Sequence, residues 1–270
     1  MTTPAELEEA AITAARGAGA VLRRRFRPRE RLQVESKGMH DFVTEVDREA
    51  EAAVVAFVRA TFPDHTILAE EGSPSQQAGR VRWVVDPLDG TTNFIHGVPT
   101  FAVSVAVEDP SGVLAGAIYD PVHDEMFHCH RSGGARLNGE PITCTRPASL
   151  HDSLIATGFP FRELSRLSGY LTAFEAFVRT TAGLRRAGSA SLDLAYTACG
   201  RYDGFFEIGL SRWDIAAGTL LVQEAGGTVT APGGGTDYLE TGDLVAAGPT
   251  LHAAMIAITS RSLRPAAPRP

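Results

Sequence analysis

Arg82-Trp83-Val84-Val85-Asp86-Pro87-Leu88-Asp89-Gly90-Thr91-Thr92-Asn93-Phe94 is the stretch from which the chain is best read. A short apolar strand over Arg82 to Val85 runs into two carboxylates three positions apart, followed by Gly-Thr-Thr. Asp, Pro and Gly are turn residues, so a β-turn after a strand explains part of the pattern. It does not explain the setting. Asp86 directly follows Trp83, Val84 and Val85 and belongs at the edge of the core. Burying a carboxylate there costs on the order of several kcal/mol unless a cation or a donor compensates. Asp86 and Asp89 can face one point, where a divalent ion answers both, and the Leu88 carbonyl can add a hard oxygen of the kind magnesium prefers. Gly90, Thr91 and Thr92 then offer successive backbone N–H groups where a helix can begin, a natural seat for phosphate. Gly90 lets the backbone come close to such a ligand.

Three further segments end apolar runs in acids. Ile67-Leu68-Ala69-Glu70-Glu71-Gly72 is a strand whose alternation sends Glu70 and Glu71 to opposite faces, so one of them reaches a shared site. A solvated strand end accounts for this segment taken alone. In Asp41 to Asp47, Thr44 reads as a helix cap with Asp47 three residues on, and function enters only if Asp47 faces inward. In Glu207 to Gly218, Asp214 lies in the first turn of a helix of small and apolar residues, where an Asp is ordinarily a cap or dipole partner. Together the four segments place acids at strand ends and helix starts, where open α/β layers collect ligands.

Working outward, Thr3, Pro4 and Glu6 open a helix with a capping box, and apolar spacing carries it to about Phe26. Gly17-Ala18-Gly19 lies inside this helix and reads as packing. A second helix follows Thr44 and stops near Phe62-Pro63. Strands are expected at His65 to Ala69, Thr100 to Glu108, Val113 to Tyr119 and Glu125 to Arg131, with Pro110-Ser111-Gly112 turning a hairpin. Later elements alternate. A strand at Ser153 to Thr157 precedes a helix from Leu164 to Thr181, and a helix capped by Ser191 ends at Gly200. Next come a strand at Gly204 to Ile208, a helix from Trp213 to Ala225 and a strand at Thr228 to Thr230. The expectation is an N-terminal α+β half over 1–145, a C-terminal α/β half over 146–262 and a disordered tail over 263–270.

The formal net charge of −7 over 270 residues speaks against a broad nucleic-acid surface, and clustered carboxylates awaiting cations are one source of that excess. Cys129, Cys144 and Cys199 lack both zinc spacing and the even count of a disulfide framework, which fits a reducing cytoplasm. Met1 to Ala10 has no signal pattern, and no apolar run reaches membrane-spanning length. His128 and His130 share a strand face, but without further ligands nearby in sequence a surface strand is the better reading. No Gly-x-Ser-x-Gly elbow and no P-loop occurs.

These motifs resemble the inositol monophosphatase family, and closely its bacterial SuhB-type branch. The family pattern Trp-x-x-Asp-Pro-x-Asp-Gly-Thr-x-Asn-Phe stands at Trp83 to Phe94. Its second pattern stands at Trp213, Asp214 and Glu224 to Gly227. Asp41 to Asp47, Glu70-Glu71, Ala156 to Phe161, Gly188-Ser189-Ala190 and Asp193 to Tyr196 match in order and spacing. The resemblance implies a layered α-β-α-β-α sandwich and a phosphatase dependent on two or three magnesium ions. Glu70, Asp86 and the Leu88 carbonyl would hold the first ion, and Asp86, Asp89 and Asp214 the second. A third, weaker ion would sit near Glu70. Asp47 and Thr91 would orient and activate the attacking water, with Gly90, Thr91 and Thr92 receiving the phosphate. Asp89, Gly188, Ser189, Ala190 and Glu207 would contact substrate hydroxyls. Two ions about 3.5–4 Å apart can bracket an in-line displacement without a phosphoenzyme.

The substrate so implied is a small phosphorylated polyol, inositol monophosphate first. Fructose-1,6-bisphosphate, histidinol phosphate, a 3′-nucleotide or NADP are the alternatives. Lithium sensitivity and a homodimer are family expectations, with the strands between Thr100 and Tyr119 as one source of an interface. Haloacid-dehalogenase-type phosphatases share the strand-to-Asp design but space their acids as Asp-x-Asp and form an aspartyl-phosphate. A regulatory, protein-binding member of the same fold is the alternative from another class, its partners not derivable from the chain.

Overall fold

The computed structural model describes residues 2–26, 34–38, 41–72, 80–161 and 163–263. In chain order the elements are α1 (Pro4–Arg25), β1 (Val34–Gly38), β2 (Asp41–Thr44), α2 (Glu45–Thr61), β3 (Thr66–Ala69), β4 (Arg82–Asp89) and α3 (Thr91–His96). A meander follows as β5 (Ala102–Asp109), β6 (Gly112–Asp120), β7 (Glu125–His130), β8 (Ala135–Leu137) and β9 (Glu140–Pro141). The remainder is β10 (Leu154–Thr157), α4 (Leu167–Thr180), β11 (Gly183–Arg185), α5 (Ala190–Ala198), β12 (Gly204–Glu207) and α6 (Arg212–Glu224). It closes with β13 (Thr228–Thr230), α7 (Tyr238–Thr241), β14 (Leu244–Ala247) and α8 (Pro249–Ser262).

Five layers stack as α-β-α-β-α. The first sheet runs β3-β4-β5-β6-β7-β8-β9, antiparallel apart from the parallel β3–β4 edge. The second runs β11-β10-β12-β14-β13, parallel about β10 and antiparallel about β14, a mixed sheet where alternating elements suggested an α/β half. α1 and α2 cover the outer face of the first sheet around Leu7, Leu22, Val54, Trp83 and Phe101. α5 and α6 fill the space between the sheets, with Leu192, Leu194, Ile215 and Leu221 packed on Val84, Ala106, Phe205 and Ala246. α4 and α8 cover the far face through Tyr170, Phe177, Phe206 and Met255. At Gly116 of β6, a Cβ would lie 3.0 Å from the Ala217 Cα, so α6 sits directly on the first sheet.

Both expected capping boxes form, Thr3 with Glu6 and Thr44 with Asp47. Several expectations need correction. The strand expected to end at Val85 continues to Asp89, because pairing with β5 resumes beyond an irregularity. The helix expected from Leu164 opens with a 3-10 turn at Leu164–Arg166 and turns α-helical at Leu167. Ser189, not Ser191, is the N-cap residue of α5. The strands between Thr100 and Tyr119 do not form an exposed face: Phe101 through Val107 are buried between helices on both sides. His128 and His130 do not lie on an open strand. α1 crosses them, and both Nδ1 atoms bond the Glu8 carboxylate, His128 at 2.6 Å. Of the expected tail, Leu263 is buried, and 264–270 lie outside the described residues. Among the described residues no helix is long and apolar enough to cross a membrane.

Candidate functional site

The site grows out of an irregularity in β4. In a regular strand, residues three apart point to opposite faces. Here Asp86 pairs with Ser104 and Asp89 with Ala102, so three steps on β4 oppose two on β5. That extra residue is a bulge, and it brings Asp86 and Asp89 to the same side. Pro87 has no N–H to give the ladder and is tolerated at such a place. The Leu88 N–H donates to Asp86 Oδ1 at 3.0 Å and holds the kink.

Asp214 arrives from α6. Its carboxylate accepts the Ser211 N–H at 2.7 Å, the cap role foreseen for it, and it also meets the pair on β4. One ligand oxygen from each of Asp86, Asp89 and Asp214 lies within 4.8 Å of the others. Glu70 reaches the same cavity from the end of β3, whereas the Glu71 N–H turns to the Glu51 carboxylate at 2.8 Å. Burial is the main cause that pushes the Asp86 carboxyl well above its ordinary range, and the negative charges of Glu70, Asp89 and Asp214 push the same way. Burial also raises Asp89. Opposing it are hydrogen bonds to Oδ2 from the Ser189 hydroxyl at 2.6 Å, the Ser191 hydroxyl at 2.5 Å and the Ser191 N–H at 2.7 Å. A buried set of carboxylate oxygens that repel one another fits a small divalent cation. Oxygen-only donors suit magnesium rather than zinc.

Behind the acids, Asp47 is fully buried. Its Oδ2 accepts from the Thr44 N–H at 2.9 Å and the Thr44 hydroxyl at 2.6 Å, closing the capping box. Its Oδ1 lies 3.1 Å from the Thr91 hydroxyl, which is also 3.0 Å from the Leu88 carbonyl. Asp47 thus faces inward as well as capping α2, and burial raises its carboxyl. Gly90 stands at φ +97° before α3. A Cβ there would lie 3.0 Å from the Thr100 carbonyl oxygen and 3.2 Å from the Phe101 Cβ, so glycine is required.

Glu70, Asp86, Leu88, Asp89, Gly90, Thr91, Thr92, Gly188, Ser189, Ala190, Glu207 and Asp214 all line one cavity of about 370 Å³. Asp47 sits behind its wall. The Asn93 side chain ties α3 to the chain on either side by donating to the Thr100 and Ala187 carbonyls at 2.7 and 2.9 Å.

Other lining residues carried no role in the sequence reading. Phe159 and Phe161 flank the mouth, and the Arg186 guanidinium stacks over both rings at 5.5 and 5.4 Å from their centroids. Asp193 is buried at the cavity, and its Oδ1 has no hydrogen-bond partner among the described residues. Burial raises its carboxyl well above the ordinary range, Glu207 and Asp89 add to this, and Arg186 opposes it. Phe159, Phe161 and Asp193 stand inside motifs quoted above. Nothing in spacing alone marks them as cavity residues.

A layered α/β chain with oxygen ligands gathered at a bulged strand end, beside a glycine turn opening a helix, is of the inositol-monophosphatase-type fold and carries a candidate acidic metal site. The sequence model of the Inositol monophosphatase family matches residues 3–264, and the chain belongs to that family. It is 46% identical to the Nus factor SuhB of Pseudomonas aeruginosa over 264 residues, 96% of this chain and 97% of that protein. The structure of the extragenic suppressor protein SuhB from Bartonella henselae superposes with a TM-score of 0.91 at 38% identity, covering 95% of this chain and 99% of that one. An inositol monophosphatase from Anabaena (Nostoc) superposes at 0.85 and 38% identity, over 95% and 96% of the two chains.

Proposed function

We propose that this chain is a magnesium-dependent phosphomonoesterase acting on inositol monophosphate. Related small phosphates, among them fructose-1,6-bisphosphate, histidinol phosphate, 3′-nucleotides and NADP, form the alternative substrate set. The observation that carries the proposal is the convergence of Asp86, Asp89 and Asp214 within 4.8 Å beside Gly90 and Thr91. Glu70, Asp86, the Leu88 carbonyl, Asp89 and Asp214 would hold two or three magnesium ions. Bound there, magnesium would supply positive charge for the phosphoryl oxygens and lower the pKa of water at the site.

The chain's own groups supply the rest. Asp47 is placed to accept the Thr91 proton, which leaves the threonine oxygen free to orient a water for attack. Backbone N–H groups from Gly90 to Thr92 would hold phosphate oxygens. Asp89, Gly188, Ser189, Ala190 and Glu207 would meet the hydroxyls of the leaving alcohol. In this reading the halves 1–145 and 146–262 act as one unit, each giving ligands to a single site.

The test is phosphate release from a panel of small phosphomonoesters with and without Mg²⁺, beside Asp214→Asn. The unaltered protein should turn over inositol-1-phosphate only with the metal, and the variant should lose at least a hundredfold. Near-normal activity of the variant would remove Asp214 from the metal site. A trapped phosphoryl group on Asp86 would move the chain to the aspartyl-phosphate class.

The name of the P. aeruginosa relative favours a second reading alongside the first, that this chain also serves as a Nus factor in the cytoplasm. Such a role would survive Asp214→Asn. A homodimer remains part of the proposal. Leu171 and Val178 of α4, each more than half exposed and seven residues apart, offer a face for a second copy in place of the buried strands.

A further inference from the structure

The cleft's acids come from separate pieces of chain: Asp86 and Asp89 from β4, Asp214 from the first turn of α6. One buried carboxylate joins the two pieces. The Glu108 side chain on β5 is 3% exposed and lies between two guanidinium groups. Arg82 of β4 donates from Nε to Glu108 Oε1 at 2.6 Å. Arg212 of α6 faces both oxygens from Nε at 3.1 and 3.2 Å and approaches Oε2 from its terminal nitrogen at 3.0 Å. Arg82 stands four residues before Asp86 on the same strand, and Arg212 two residues before Asp214 on the same helix. A second tie reinforces the first: the Ser104 hydroxyl, opposite Asp86 in the ladder, donates to the Trp213 carbonyl at 3.2 Å. Arg212 also lies 3.7 Å from Glu240 and 3.5 Å from the Leu239 carbonyl.

We propose that the Arg82–Glu108–Arg212 clamp sets the spacing between Asp214 and the Asp86–Asp89 pair, and thereby the affinity of the cleft for its divalent cation. The inference rests on the metal reading above and extends it to residues outside the cleft. Its physical basis is rigidity. A guanidinium is a planar fork with fixed donor directions, and a carboxylate held by two of them has little freedom left. Magnesium demands near-ideal placement of its oxygens, so a small slide of α6 along the sheet is felt as lost affinity. Arg82, Glu108 and Arg212 are positioning residues; none touches the cavity where the acids meet.

The decisive measurement is calorimetric titration of the metal-free protein with Mg²⁺ alone. Arg212→Met keeps an unbranched stem while removing the guanidinium, and leaves Glu108 paired with Arg82, so no buried charge is orphaned. The dissociation constant should rise about tenfold, a loss of about 1.4 kcal/mol. Arg212→Lys should recover part of it. Arg201→Met breaks a more exposed, bidentate Arg–Glu pair, with Glu125 on β7, that does not line the cleft, and should leave the constant unchanged. Arg82→Met attacks the clamp from its other arm and carries the test should Arg212→Met fail to fold. Affinity within twofold of the unaltered protein in Arg212→Met, or an equal loss in Arg201→Met, overturns the clamp and spares the metal reading. Failure of the unaltered protein to bind Mg²⁺ overturns both.

Discussion

Asp86 and Asp243 are equally hidden from solvent, each 1% exposed, yet they are surrounded in opposite ways. Asp243 enters β14 with its charge answered. Arg166 donates to its two oxygens at 2.8 and 2.5 Å, and the Gly209 N–H adds a third bond at 3.0 Å. Asp86 receives the Leu88 N–H, and the charges that weigh on it are those of Glu70, Asp89 and Asp214. Burial of an acid therefore does not mark a site. The sign of what surrounds it does: a carboxylate facing a guanidinium serves the fold, and carboxylates facing one another are arranged for a cation the chain does not itself supply.

Isosteric neutralisation tests this contrast most sharply. Asp86→Asn should abolish magnesium-dependent phosphate release, by a thousandfold or more, while the melting temperature of the metal-free protein holds or rises as repulsion among the acids is relieved. Asp243→Asn should do the reverse. It leaves Arg166 half-answered in the interior and should lower stability by about 3 kcal/mol. Folded protein should keep its turnover within tenfold. Thermal unfolding of both variants in chelator, beside phosphate-release assays, decides the matter. A metal-free Asp86→Asn protein that melts as early as Asp243→Asn would erase the distinction.

The same contrast has a pH signature. Burial raises the carboxyls of Asp47, Asp86 and Asp89 above their ordinary value of 3.8. The folded state thus binds their protons more tightly than the unfolded chain does. Their contribution to stability is complete below about pH 4 and is lost as pH climbs through the raised native values. Magnesium competes with those protons. The stability gained in Mg²⁺ over chelator, read as a gap in melting temperature, should be small in acid and widen toward neutrality, the gain reaching about 2.7 kcal/mol at a hundredfold excess over the dissociation constant. A gap independent of pH would show that magnesium binds away from these acids.

Much of this was legible in the chain because local chemistry wrote it there. Capping boxes are short-range and so were readable: Thr3 with Glu6, Thr44 with Asp47. The acids at the ends of apolar runs were readable because a charge set against Trp83-Val84-Val85 is costly wherever the rest of the chain goes. What escaped depends on partners distant in sequence. The bulge that aligns Asp86 with Asp89 exists only against β5. Ser191 looked like a cap, but its hydroxyl goes to Asp89, 102 residues away in the chain. Glu8, an ordinary first-half helix residue by periodicity, meets His128 some 120 residues later. The Thr100–Tyr119 strands had the apolar character of an interface and of a core alike. Only the layers stacked on both faces separate those two outcomes.

Asp89 stands between the two extremes of the comparison and gives its finest test. Like Asp243, it is hydrogen-bonded at close range; like Asp86, it faces other acids. The Ser189 and Ser191 hydroxyls donate to one of its oxygens and favour the ionised form that a cation needs, against the burial that opposes it. Ser191→Ala removes one hydroxyl and keeps the backbone N–H bond, the helix and the second serine. The loss of one hydrogen bond to a charged group is worth about 1.5 kcal/mol, so the magnesium constant should weaken about tenfold at most. The deficit should shrink as pH rises, because alkali restores the ionised carboxylate that the missing donor no longer favours. Melting in chelator should barely change, since the acid left less satisfied can take up a proton. A Ser191→Ala protein that lost stability without losing magnesium affinity would place Asp89 with Asp243, among the acids that serve the fold.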